Sequence, residues 1–87
     1  MNGKIKEYKK RFEESIERIK KNIGLSDIEI KYLKSIKNKL INQVIIDDQL
    51  DEWITEERRI TRHNNKLSKE QKKKILDILI DLYKKII

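Results

Sequence analysis

The sequence predicts an all-α protein: a compact bundle of four helices, at about residues 3–22, 27–46, 48–63 and 68–87, forming one domain over 1–87. Three observations predict it. Apolar residues recur three and four positions apart through most of the chain, the period of an amphipathic helix. Two Ser-x-x-Glu/Gln boxes, at Ser26–Glu29 and Ser68–Gln71, mark helix starts. Proline is absent, so helices end only where glycine, asparagine or a cap provides a stop.

The first helix follows from Ile5, Tyr8, Phe12, Ile16, Ile19 and Ile23, a narrow heptad-like stripe with Lys, Arg and Glu on the other faces. Gly24 directly after it suits a left-handed stop. So narrow a stripe fits packing on the other helices, and also pairing with a second copy in a homodimer. In the second helix Ser26 and Glu29 form a capping box with Leu25 as a staple. Its apolar face of Ile30, Leu33, Ile36, Leu40, Ile41, Val44 and Ile45 is broad and suits a central position. Val44-Ile45-Ile46 is β-branched, but a lone strand would have nothing to pair with, so the segment is read as helical.

Asp47-Asp48 offers an N-cap to the third helix, whether or not a break separates it from the second. Leu50, Trp53, Ile54 and Ile60 then form its apolar side, with Trp53 as a core anchor. Asn64-Asn65 supplies left-handed residues to end it. Ser68 and Gln71 open the fourth helix, whose inner face carries Ile75, Leu76, Leu79, Leu82, Tyr83 and Ile86.

Composition excludes several classes of function. Without cysteine there is no disulfide and no thiolate metal site. A single histidine leaves only carboxylate metal sites, and no calcium-loop spacing is present. Neither a glycine-rich phosphate loop, a nucleophile elbow nor a paired-carboxylate site is visible. The expectation is a non-enzymatic protein that needs no cofactor. MNGKIKEYKKRFEES has no apolar run, so no secretory signal or membrane span is read, and a cytoplasmic location is expected. Abundant Lys, Ile and Asn with no Pro or Ala is the bias of AT-rich coding, as in an AT-rich microbe, its phage or a mobile element.

Charge is concentrated in one stretch. Residues 58–74, RRITRHNNKLSKEQKKK, hold eight basic residues and one acid, a balance equal to the formal +7 of the whole chain. Elsewhere fourteen basic residues meet fourteen acids. Arg58 and Arg62 lie one turn apart on the third helix, with Arg59 beside them. They also suit the negative end of that helix, which provides a purely structural account. Lys69, Lys72, Lys73 and Lys74 oppose the dipole of the helix they begin, and an anionic partner explains them better than stability does. Together with His63 and Lys66 these residues form a candidate phosphate-binding surface for DNA or RNA. The tyrosines lie on or beside core stripes and do not interleave with the basic stretch, which argues against aromatic base stacking. An acidic protein face is the alternative partner, as for an inhibitor module that docks on a host protein.

The motif Leu50-x-x-Trp53-Ile54-x-x-x-Arg58, followed by Lys66-Leu67-Ser68-x-Glu70 and Ile75, resembles the helicase-associated domain over residues 50–79. Asp51 stands where that family usually has glycine. The resemblance implies a small helical nucleic-acid-binding module, with Trp53 and Leu67 in its core and Arg58, Arg59 and Arg62 toward the nucleic acid. Separately, Arg58 and His63 have the R-x4-H spacing of the HEPN ribonucleases, also all-α. That resemblance implies RNA cleavage with His63 as acid/base.

Overall fold

The computed structural model describes residues 3–42 and 45–86, with side chains described as far as Leu82. The described residues form four α-helices, α1 (Gly3–Asn22), α2 (Asp27–Asn42), α3 (Leu50–Arg62) and α4 (Lys69–Ile86), and contain no strand. A single 3₁₀ turn, Asp47–Gln49, leads into α3. Val44 and Ile87, and the side chains of Tyr83 and Ile86, lie outside the described residues.

One core serves all four helices. Tyr8 and Phe12 of α1, Leu33, Ile36 and Leu40 of α2, and Leu50 and Ile54 of α3 meet Ile75, Ile78, Leu79 and Leu82 of α4. Leu67 joins them from the loop before α4. Full burial of one such side chain stabilises the fold by about 1.5–3 kcal/mol, so a dozen of them drive the collapse of a chain that is otherwise strongly polar. The radius of gyration, 12.3 Å, is close to the roughly 12 Å of a well-packed chain of this length.

The central helix is α4, not α2 as the breadth of the α2 apolar face suggested. The most extensive helix contacts are those of α4 with α1 and with α3, whereas α2 leans on α1 and more lightly on α4. The physical reason lies at the edges of the α2 face. Ile41 is 46% exposed and Ile30 only half-buried, so the buried stripe narrows to Leu33, Ile36 and Leu40. Long polar side chains make the link from α2 to α3. Lys39 Nζ lies 3.3 Å from the buried Glu57 carboxylate, and Tyr32 Oη and Thr61 Oγ1 share a hydrogen bond of 2.9 Å.

The start of α2 is capped as expected, whereas α3 begins after Gln49 with no side-chain cap. Ser26 N–H donates to Glu29 Oε1 at 2.7 Å, and Glu29 N–H donates back to Ser26 Oγ at 3.4 Å. Gly24 has φ +91°, the left-handed value a glycine after α1 supplies without strain.

The middle of the chain differs from expectation. Helix α2 is described as far as Asn42, and Ile45 and Ile46 are not helical; Ile46 is extended, with φ −86° and ψ 147°. Helices α2 and α3 are therefore separate. Asp47 does not cap its own turn. Its carboxylate instead accepts from the N–H groups of Lys4 (3.3 Å) and Ile5 (3.2 Å), so it caps α1 from 42 and 43 residues away. A negative charge there satisfies two orphan donors at the positive end of α1, and an extended Ile46 carries the chain into position. On α3 the buried stripe is Leu50, Ile54, Glu57 and Thr61. Ile60 is only half-buried, because Thr61 takes the inner position where its hydroxyl reaches both Glu57 O and Tyr32. Trp53 packs partly buried against the core edge.

Candidate functional site

The basic stretch spans the end of α3, the loop after it and the first turns of α4. The loop is built without left-handed asparagine: no non-glycine residue among those described has positive φ, so Asn64 and Asn65 do not end α3 in the way their identity predicts. The helix runs out through hydrogen bonds instead. His63 N–H donates to Arg59 O and Asn64 N–H to Thr61 O, both at 3.2 Å. Asn64 Oδ1 then accepts from Lys66 N–H at 2.8 Å, an Asx turn that reverses the chain. Leu67, 7% exposed, anchors the loop in the core, and Ser68 starts α4. Here Ser68 N–H donates to Gln71 Oε1 at 2.8 Å and Gln71 N–H to Ser68 Oγ at 3.2 Å. With both ends capped, the corner is fixed in direction.

The candidate residues divide by their partners. Arg59 is held in a two-pronged pair by Glu56, with its Nε 2.8 Å from Glu56 Oε1. That guanidinium holds the Glu56 carboxyl below its usual value, chiefly through the hydrogen bond. Arg58 is partly buried, with its Nε enclosed and without a hydrogen-bond partner among the described residues. Lys72 Nζ donates to Arg62 O at 3.0 Å, a cation on the free carbonyls that end α3. Lys74 Nζ points away from the corner. It donates to Gly24 O at 3.2 Å in the α1–α2 turn and lies 3.5 Å from Glu29 Oε2 in the first turn of α2. These two lysines, which the sequence left without a structural account, are thus ties between helices.

The side chains of Arg62, His63, Lys66, Lys69 and Lys73 are exposed, and none forms an ion pair among the described residues. Three of them, Arg62, Lys69 and Lys73, line one open groove of about 670 Å³ together with Lys72. Its other walls are Glu70, Leu76, Asp77 and Ile80. Sequence reasoning put Leu76 on the inner face of α4 and passed over Ile80, Asp77 and Glu70 as site residues. The signal was present: Lys69, Lys73, Leu76 and Ile80 recur at steps of four, three and four, a second stripe beside the core stripe of Ile75, Ile78, Leu79 and Leu82. The groove therefore follows from the outer side of α4 where it meets the end of α3.

Among the described residues, no three His, Asp or Glu side chains gather where they could hold a metal ion. Nor is any helix among the described residues long and apolar enough to cross a membrane. Comparison of the chain with protein-family models, curated proteins and solved structures finds no match in any of the three.

Proposed function

We propose that this chain is a small nucleic-acid-binding protein that contacts phosphates through the corner between α3 and α4. The observation that carries this reading is the set of exposed cations at that corner, Arg62, Lys66, Lys69 and Lys73, none of which is held in an ion pair among the described residues, although Glu70 and Asp77 lie in the same groove. Surface lysines in helical proteins ordinarily gain from acids three or four positions away. Here Arg59 has such a partner in Glu56 and Lys74 meets Glu29 from another helix, whereas Lys73 forms no ion pair with Glu70 or Asp77. Positive charge at the start of α4 opposes the helix dipole, so a bound anion would relieve a local cost as well as form charge-assisted hydrogen bonds. The resemblance of residues 50–79 to the helicase-associated domain also points to nucleic acid, but of the three arginines it implies only Arg62 is kept for that role, since Arg59 is paired with Glu56 and Arg58 is partly buried.

Arg62, Lys69 and Lys73 are the residues assigned to phosphate, with Lys66 and His63 exposed in the loop between the two helices. Arg59 and Lys74 are assigned to stability. Affinity for a labelled DNA or RNA strand, followed by fluorescence anisotropy across a salt series, tests this. The triple change Arg62→Glu, Lys69→Glu and Lys73→Glu is expected to abolish measurable binding. The milder triple alanine variant should flatten the plot of log affinity against log salt by roughly 0.7–0.9 per lost phosphate contact. Binding that ignores salt, or survives the triple reversal, would exclude the reading.

A further inference from the structure

A surface that meets only phosphates has no use for carboxylates or exposed aliphatic carbon, and this groove contains both. Leu76 and Ile80 are half-buried in its walls. Glu70 and Asp77, both exposed and unpaired among the described residues, share it with Arg62, Lys69 and Lys73. A duplex presents a convex rail of phosphates and keeps its base faces stacked inside, so it would leave the aliphatic strip uncovered and bring phosphates toward two carboxylates. An acidic peptide would satisfy the cations and the aliphatic strip, yet it would meet the same two like charges.

We propose that the groove takes unpaired nucleotides of single-stranded DNA or RNA, an inference that rests on the phosphate-binding reading above. A base released from a stack lays its face on Leu76 and Ile80, in the place that an aromatic platform takes in other single-strand binders. Its exocyclic amino group donates to Asp77 or Glu70, as cytosine N4 does to acidic side chains. The flanking phosphates meet Lys69, Lys73 and Arg62. Each of the groove's three chemistries then has a partner on one ligand. Bases that carry an amino group are favoured over thymine or uracil, which have none.

The test uses the full chain and labelled strands of about a dozen nucleotides at one fixed low salt. The probes are oligo-deoxycytidine, oligo-thymidine, a duplex of mixed sequence, an abasic deoxyribose-phosphate strand, and an acidic helical peptide rich in leucine. Oligo-deoxycytidine is expected to bind roughly threefold to tenfold tighter than the duplex or the abasic strand, and tighter than oligo-thymidine. The variant Glu70→Ala/Asp77→Ala should bind every nucleic acid more tightly and lose the preference for cytidine. Leu76→Ser/Ile80→Ser should lose the advantage of bases over abasic strand while duplex affinity stays unchanged. The wild-type comparison of abasic and base-bearing strands decides the matter even if a variant unfolds. Equal affinity for single strand, duplex and abasic strand would overturn the inference and leave phosphate binding standing. No binding to any nucleic acid, or tighter binding to the peptide, would overturn both.

Discussion

Single residues in this protein show how much a charge depends on what surrounds it. Lys73 and Lys74 are adjacent in sequence and differ in role, because a step of about 100° around α4 turns one toward the groove and the other toward the α1–α2 turn. Glu29, 1% exposed, receives Lys74 and closes its own capping box. Burial on its own would raise the Glu29 carboxyl. The Ser26 N–H and O–H together with the Lys74 ammonium outweigh burial, so the group titrates below its usual value. A carboxyl depressed in the folded state contributes stability that is present above its unfolded value and is lost as pH falls through the folded one. Acid should therefore loosen the α1–α2 turn as pH drops below about 4.5. Glu29→Gln is expected to cost about 1 kcal/mol at neutral pH, by removing charge assistance from these contacts. It should also make the fall in stability below about pH 4.5 shallower, which urea titrations at a series of pH values would measure.

At the scale of elements, the two Ser-x-x-Glu/Gln boxes and Gly24 were legible because their chemistry is local. A serine three residues before an acceptor, or a glycine after an apolar stripe, needs no knowledge of the rest of the chain. The end of α2 was not legible in that way. No glycine or proline directly precedes the extended Ile46, which delivers Asp47 to a contact 42 residues away at Ile5. The stop at Asn64 was misread for a related reason: its side chain serves the turn as an acceptor, so its backbone has no need of the left-handed region. Helix α4 depends on its cap more than most helices do, because Lys69, Lys72 and Lys73 all oppose the dipole in its first turns. Ser68→Ala should cost about 1 kcal/mol, visible as a lower urea midpoint with an unchanged slope. It should weaken nucleic-acid binding too, through loss of a fixed corner.

For the whole molecule, the sequence was sufficient for the four-helix class and most of the core, since both rest on periodicity. It did not reveal which helix would be central. Tyr8 and Phe12 on one side and Leu50 and Ile54 on the other converge on α4, and only the packed arrangement shows that. The candidate site was legible as charge but not as shape. Eight basic residues stand out in any reading of 58–74, whereas the division between ties and free cations depends on neighbours distant in sequence, Gly24 and Glu29 for Lys74.

The Asp47 carboxylate at the start of α1 also has a kinetic consequence. It closes a loop of more than forty residues, from Lys4 to Asp47, and a contact of that span is entropically expensive to form early. It should therefore form after the main folding barrier. On that basis Asp47→Ala should leave the refolding rate nearly unchanged and speed unfolding, by roughly fivefold for about 1 kcal/mol lost. The amide hydrogens of Lys4 and Ile5 are its local reporters: in the variant they should exchange with deuterium faster while the amides of α4 stay protected. A matching slowdown in refolding would show that the ends of this clasp meet early.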